Sequence, residues 1–332
     1  MYATGNKKML NMLILEILRV YTDEDHSLTQ QDIIRLLRLN YGMECDRRSV
    51  KNNVMSLIEM GYDISMTKGY RLLSREFDDA ELRILIDSVL FSKSISTRQA
   101  KGLIQKIRGL ASNYFNAKVS HVSNLPELQR TDNKQAMYSL DTINDAIAKK
   151  KKISFIYNYI GTDLALHPRR EEPDIVNPYQ IVANNGRFYL IGNYDRHDNV
   201  VHIRIDRMTD VKMLNDKAKP MKDVRELEKG LNLPKHMAEH IYMFGGKSIP
   251  VKLATTADMM TELVDWFGKD IRILETKGEN IKLLVSCNEN AMRYWALQYG
   301  PYVEVLEPKS LRKTLKEDIE AMQKKYSKGG IK

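Results

Sequence analysis

In Cys45-Asp46-Arg47-Arg48-Ser49-Val50-Lys51-Asn52-Asn53-Val54-Met55-Ser56-Leu57-Ile58, apolar and polar residues separate onto two faces of one predicted helix. Val50, Val54, Leu57 and Ile58 recur at helical spacing, so one stripe faces a core while Arg47, Arg48, Lys51 and Asn52 project elsewhere. Asp46 is suited to cap the first-turn amides, which fixes the helix start directly before those side chains. The projecting face is basic and carries an amide. Arg pairs bidentately with guanine, Asn with adenine, and Lys or Ser mostly with phosphate, so Arg47, Arg48, Ser49, Lys51 and Asn52 have the chemistry of major-groove reading. Ordinary solvated helix ends also carry Arg and Lys, so the neighbouring segments decide between the two.

Upstream, Leu28-Thr29-Gln30-Gln31-Asp32-Ile33-Ile34 opens another helix, and Met9, Leu10, Leu13, Ile14, Ile17 and Leu18 form the apolar stripe of a first one. Downstream, Gly61-Tyr62-Asp63 ends the basic helix, and Tyr62–Met66 and Tyr70–Leu73 read as two short strands around Thr67-Lys68-Gly69. Three helices and a hairpin predict a winged helix-turn-helix over residues 1–75. A wing lies along the sugar-phosphate backbone, which makes Lys68 and Arg71 phosphate or minor-groove contacts, with Tyr70 packed on the domain's own core. Double-stranded DNA is the expected partner. A single recognition helix buries little DNA, so a homodimer reading two half-sites is expected.

The 332 residues are 43% apolar, enough for two or three domains with cores, and the formal net charge of +9 favours polyanionic partners. Met1–Lys8 offers no apolar run for a signal peptide and no stretch approaches the length of a membrane span, so a cytoplasmic protein without membrane contact is expected. Cys45 and Cys287 are too far apart in sequence to indicate a disulfide framework, and both read as buried small residues. None of the seven histidines forms an HExxH, HxH or Cys-paired ligand set, so neither a metal nor another cofactor is expected. Gly245-Gly246-Lys247-Ser248 lacks the earlier glycine of a phosphate loop, and no nucleophile elbow surrounds Ser154 or Ser286. No enzymatic activity is expected.

Residues 76–132 read as a helical connector, with stripes Leu82, Leu85, Ile86, Val89 and Leu103, Ile104, Ile107, Leu110, and a linker over His121–Asn133. A helix with Met137, Leu140, Ile143 and Ile147 on one side then opens a domain over 133–215. From Ile153 the period changes to two, with Ile153, Phe155, Tyr157 and Tyr159 on one face. Tyr179–Ala183 and Arg187–Tyr194 are strands joined by Asn184-Asn185-Gly186, suited to a tight hairpin. In a third strand, Val200–Ile205, His202 and Arg204 share a face opposite Val201, Ile203 and Ile205. After a linker over 216–248, residues 249–332 alternate strand and helix as a ferredoxin-like βαββαβ layer with a trailing helix, in which Trp295 is a core or subunit-contact residue. The expected fold is therefore multidomain α+β.

The series Ile153-Ser154-Phe155-Ile156-Tyr157, Pro178-Tyr179, Arg187-Phe188-Tyr189-Leu190-Ile191-Gly192 and His202-Ile203-Arg204-Ile205-Asp206-Arg207-Met208 resembles the WYL-domain transcriptional regulators. The triplet that names the family stands here as Phe188-Tyr189-Leu190. The resemblance implies an N-terminal winged helix, an Sm/SH3-like small β-barrel and a C-terminal extension; the helices between 78 and 115 and the C-terminal domain are the candidate dimer surfaces. It also implies a barrel that senses a nucleic-acid or nucleotide-like ligand, such as a single-stranded oligonucleotide or a nucleotide. From the residues, Tyr157, His167, Arg169, Arg170, Tyr189, His202, Arg204 and Arg207 could form such a site, because guanidinium groups clamp phosphates and tyrosines supply stacking faces. The competing reading pairs these arginines with Glu171, Glu172, Asp174 and Asp206 and leaves them holding the barrel together. For the whole chain, the alternative to a ligand-responsive regulator is an architectural or accessory DNA-binding protein whose barrel mediates assembly.

Overall fold

The computed structural model describes residues 9–115 and 133–327. Of the predicted linker only Asn133 falls within them; His121–Asp132 and Met1–Lys8 lie outside the described residues. The chain divides into two compact units, Met1–Asp132 and Asn133–Lys332. Both mix α and β across the described residues, and every ladder between their strands is antiparallel. No helix among the described residues is long and apolar enough to cross a membrane.

The first unit opens with α1 (Leu10–Tyr21), α2 (Gln30–Tyr41) and α3 (Arg47–Glu59). Leu10, Ile14, Ile17 and Leu18 of α1 meet Ile33 and Leu37 of α2 and Val50, Val54 and Leu57 of α3 in one apolar core. Cys45 is only half-buried at the edge of that core, because it stands before the helix cap rather than on the packed stripe. The hairpin is shorter than its sequence predicts, with β1 at Ile64–Ser65 and β2 at Arg71–Leu72. Tyr70 is taken by Leu28, with reciprocal backbone hydrogen bonds of 2.9 and 2.7 Å, and so is not available to Met66. Gly69 closes the turn at φ +115°, where an added Cβ would come within 2.7 Å of the Ser27 hydroxyl. Helices α4 (Asp79–Phe91) and α5 (Thr97–Arg108) follow, with a small core of Leu82, Ile86, Ala111 and Phe115. Ile104 and Ile107 pack there as their stripe predicts, joined by Leu90, whereas Leu85 and Leu110, also expected on the stripes, are exposed.

The second unit begins with α6 (Ala136–Ala148), which buries Ala136, Ser139, Ile143 and Ala146; of the predicted face, Ile143 is buried, Leu140 and Ile147 pack against the same core, and Met137 is exposed. Asn133, just before the helix, donates to the carbonyls of Asp206 and Met208. A curled six-stranded sheet follows: β3 (Lys151–Ile160), β4 (Leu166–Pro168), β5 (Asp174–Asn184), β6 (Arg187–Tyr194), β7 (Val201–Arg204) and β8 (Met208–Lys217). The order is β4-β3-β5-β6-β7, and β8 returns to pair with β3. Ile153, Phe155, Val176, Leu190, Ile203 and Met208 fill its interior with Ile143 and Ala146 of α6. The predicted Asn185-Gly186 turn has φ values of 49° and 74°, as a two-residue hairpin turn of this twist requires. Sequence periodicity missed β4 and β8 and started β5 late. In β8, two register shifts against β3 and a positive φ at Asp210 break the alternation by which a strand is recognised.

The segment expected as a linker over 216–248 is packed rather than extended. It contributes Val224, Leu227 and Met243 to a second apolar cluster with Tyr179, Val182, Ile191 and Val200, and it contains a short helix, α7 (Leu233–Glu239), capped by Asn232. The C-terminal layer comprises β9 (Ser248–Thr256), α8 (Met260–Phe267), β10 (Arg272–Lys277), β11 (Asn280–Asn288), α9 (Glu289–Gln298), β12 (Glu304–Glu307) and α10 (Lys309–Ser327), with strand order β10-β11-β9-β12. Trp295 is fully buried in its core, edge-on to Phe267 at 4.9 Å.

Candidate nucleic-acid and ligand interfaces

In the first unit, the Asp46 carboxylate accepts from the Ser49 amide at 2.7 Å and so caps α3 as its sequence predicts. Arg47, Arg48, Lys51 and Asn52 are exposed on its first turns, Ser49 is half-buried, and Asn53 folds back on the Ser49 carbonyl at 2.8 Å. Arg47, Arg48 and Lys51 enter no ion pair among the described residues, and neither does Lys68, which is exposed at the hairpin tip with φ 56°. Among the described residues, no carboxylate pairs with their positive charge. Arg71 differs, since it is half-buried and its Nη1 donates to the Glu24 carbonyl at 2.5 Å. Tyr70 is buried, with its hydroxyl accepting from Gln30 at 2.9 Å.

In the second unit, the sequence-predicted set divides into four places. Tyr157, Tyr189, Arg204 and Arg207 form one group. Burial raises the pKa of the Tyr157 hydroxyl, and the neighbouring Arg207 and Arg204 guanidinium groups partly offset that. Arg204 faces Tyr189 across the β6–β7 ladder and binds Asp206 with two nitrogens at 3.0 and 2.7 Å. Burial works against the Arg204 charge, but the Asp206 carboxylate outweighs it and holds the guanidinium protonated. Arg187 binds the same carboxylate at 2.9 Å, so buried Asp206 is shared between two arginines. Tyr189 is half-buried against the second apolar cluster, to which the 216–248 segment contributes.

Arg169 lies elsewhere, lining a cavity of about 340 Å³ with Arg170, Tyr194, Arg196 and His197. Arg170 is paired with buried Asp174, and Arg196 stands 3.9 Å from the same carboxylate. Burial, helped by Asp174, pushes the Tyr194 hydroxyl up to about 12 and keeps it a neutral donor at that wall. His167 stands apart on the β3–β4 hairpin, bound to Asp163 at 2.9 Å. The fourth place is that of His202, which leaves its strand partner Arg204 and meets His236 and His240. Burial, then the neighbouring imidazoles, depress His202 to about 3, with the Phe244 backbone working weakly the other way; His236 falls to about 4 for the same first reason. Arg187, Arg196, His197, His236 and His240 were not singled out from sequence. Only the four-residue spacing of His236 and His240, one helical turn, was there to be read.

Residues 139–213 match the WYL domain, and residues 247–323 match the WCX domain. The chain is a WYL-domain protein. Its WYL domain runs from α6 into β8 and holds all eight residues nominated from sequence for ligand contact, whereas His236 and His240 fall between the WYL and WCX domains. Among solved structures, proteasome accessory factor B/C (PafBC) of Arthrobacter aurescens aligns over 96% of this WYL-domain chain and 49% of its own, at 15% identity and TM-score 0.31. The chain thus spans about half the length of that protein. A CRISPR Cas-related protein aligns over 76% of this chain and 75% of its own, at 14% identity and TM-score 0.39. No curated protein matches the chain.

Proposed function

We propose that this WYL-domain protein is a sequence-specific DNA-binding transcriptional regulator, and that its first three helices and hairpin act as a winged helix-turn-helix. The observation that carries this reading is the uncompensated basic face at the capped start of α3, joined by Lys68 at the hairpin tip. Buried charge is normally paired, and exposed charge that no carboxylate answers is the footprint of a polyanionic partner. Arg48 and Asn52 read base edges; Lys51 and Lys68 hold phosphates. The protein acts as a homodimer on two half-sites, and it is not an enzyme.

The WYL domain, on this reading, senses an anionic ligand of nucleotide or oligonucleotide type. The cavity at Arg169, Arg196 and His197 is the better supported contact surface, since Arg204 and Arg187 already share Asp206. The test is a mobility shift of the full chain on its own upstream region with competitor DNA, repeated with short single strands and nucleotides. A specific dimeric shift altered by one such ligand supports the whole reading. A specific shift indifferent to all of them removes the sensing half, and salt-sensitive binding without sequence preference favours the architectural alternative.

A further inference from the structure

Three of the five histidines in the second unit converge on one point. His202 comes from β7, His236 from α7 and His240 from the residue that caps α7, and one ring nitrogen from each lies within 4.8 Å of the others. The Nε2 atoms of His202 and His236 are 2.7 Å apart, and the ring centroids of the three are separated by 4.1 to 4.9 Å. His236 and His240 are buried and His202 is half-buried.

The tautomers follow from the hydrogen bonds. Nδ1 of His240 lies 2.9 Å from the His236 carbonyl oxygen, which can only accept, so that nitrogen carries the proton and Nε2 of the neutral ring is a bare lone pair. That lone pair faces a second acceptor, the Gly246 carbonyl, at 3.4 Å. Two acceptors confronting each other beside a close pair of imidazoles make a local surplus of lone pairs, and a cation relieves it. The bond from His240 Nδ1 to a backbone carbonyl is also the outer-shell device that orients ligating histidines. Nitrogens bound to zinc at about 2.0–2.1 Å with tetrahedral angles stand roughly 3.4 Å from one another, inside the range the triad spans. Glu226, half-buried and in electrostatic contact with His240, adds negative charge nearby.

We propose that His202, His236 and His240 form a binding site for a divalent transition-metal cation of the zinc class, which ties strand β7 of the WYL domain to helix α7. Linear spacing excluded a metal because no two nominated histidines fell in a ligand motif; the third ligand comes from a strand more than thirty residues upstream. His236-Met237-Ala238-Glu239-His240 does have the HxxEH order of inverted zinc peptidases. Glu239, however, pairs with Lys235 at 3.8 Å and interacts with the Cys287 thiol, and so supplies no base to the site. The role is a structural clamp.

The full chain, stripped by a chelator and dialysed, is titrated with Zn2+ and with Co2+, reading bound metal by elemental analysis, visible absorption and thermal midpoint. One equivalent bound, a tetrahedral Co2+ spectrum and a raised midpoint are expected. His236→Ala with His240→Ala, checked for folding by circular dichroism, is expected to lose affinity by more than the roughly 10–100-fold that removal of an outer-shell partner costs. The milder His202→Gln serves if the double variant does not fold, and is expected to abolish the tetrahedral spectrum. Failure of the wild-type chain to retain metal overturns the proposal, as does undiminished binding by a folded variant. Neither result bears on DNA binding.

Discussion

The start of α3 and the β6–β7 pair beside Asp206 each bring two arginines together, and they treat them in opposite ways. Arg47 and Arg48 stand in solvent with no carboxylate among the described residues to answer them, whereas Arg187 and Arg204 converge on the single buried carboxylate of Asp206. A guanidinium answered inside the fold is a structural element; one left unanswered on a rigid helix keeps its pairing capacity for something else. Residue type alone does not distinguish the two. The partner does, and the partner is a matter of tertiary structure.

The largest effect is expected where charge is most committed. Asp206→Ala leaves Arg187 and Arg204 without their shared carboxylate, and unfolding by urea should register a loss at the lower end of roughly 3–5 kcal/mol, since both side chains keep about a fifth of their exposure. A loss below about 0.5 kcal/mol would mean that these arginines are as uncommitted as those of α3. Arg48→Ala sharpens the contrast from the other side. Its stability should change by less than about 0.5 kcal/mol, while specific DNA binding weakens by roughly 1–3 kcal/mol and base preference relaxes at one position. An equal loss on specific and random DNA would show that Arg48 does not read bases. Asp46→Ala removes the cap at the Ser49 amide and should cost about 1 kcal/mol of stability, with DNA affinity reduced in step. The smallest change belongs to Lys68→Ala, which should weaken binding to all sequences alike and reduce the slope of log affinity against log salt by about one. A Lys68→Ala protein with an unaltered salt slope would detach the hairpin tip from the DNA surface. Arg204→Ala tests the comparison at its hinge: Asp206 keeps Arg187 as a partner, so the protein should fold and bind DNA as before. A lost response to nucleotide would then give Arg204 a ligand role beyond its ion pair.

Much of the first unit was legible because helices announce themselves locally. The stripe of Ile14, Ile17 and Leu18, the Asp46 cap and the Gly61 stop each depend on residues within a turn or two, and each recurs in the structure. The hairpin was less well read, since Leu28, more than forty residues before Tyr70, decides where its second strand starts. In the second unit the β5–β6 hairpin and the strands of the C-terminal layer were visible by alternation and turn chemistry. Strand β8 was not, because its pairing with β3 is broken by register shifts that leave no period to detect. The eight residues nominated for one ligand site scattered for the same reason. Strand alternation set His202 and Arg204 on a common face, but the curl of the sheet and the packing of α7 sent one to a histidine cluster and the other to Asp206.

The sequence by itself determined the chain's series of helices and strands, the basic face of α3 and the resemblance to WYL regulators, since these rest on spacing, capping and turn preferences that act over a few residues. Only the tertiary structure decided which charges are answered, that the 216–248 segment packs on the sheet, and that His202, His236 and His240 meet. Those facts rest on contacts between residues distant in sequence, where burial and the loss of solvent fix the partner and no local signal records it.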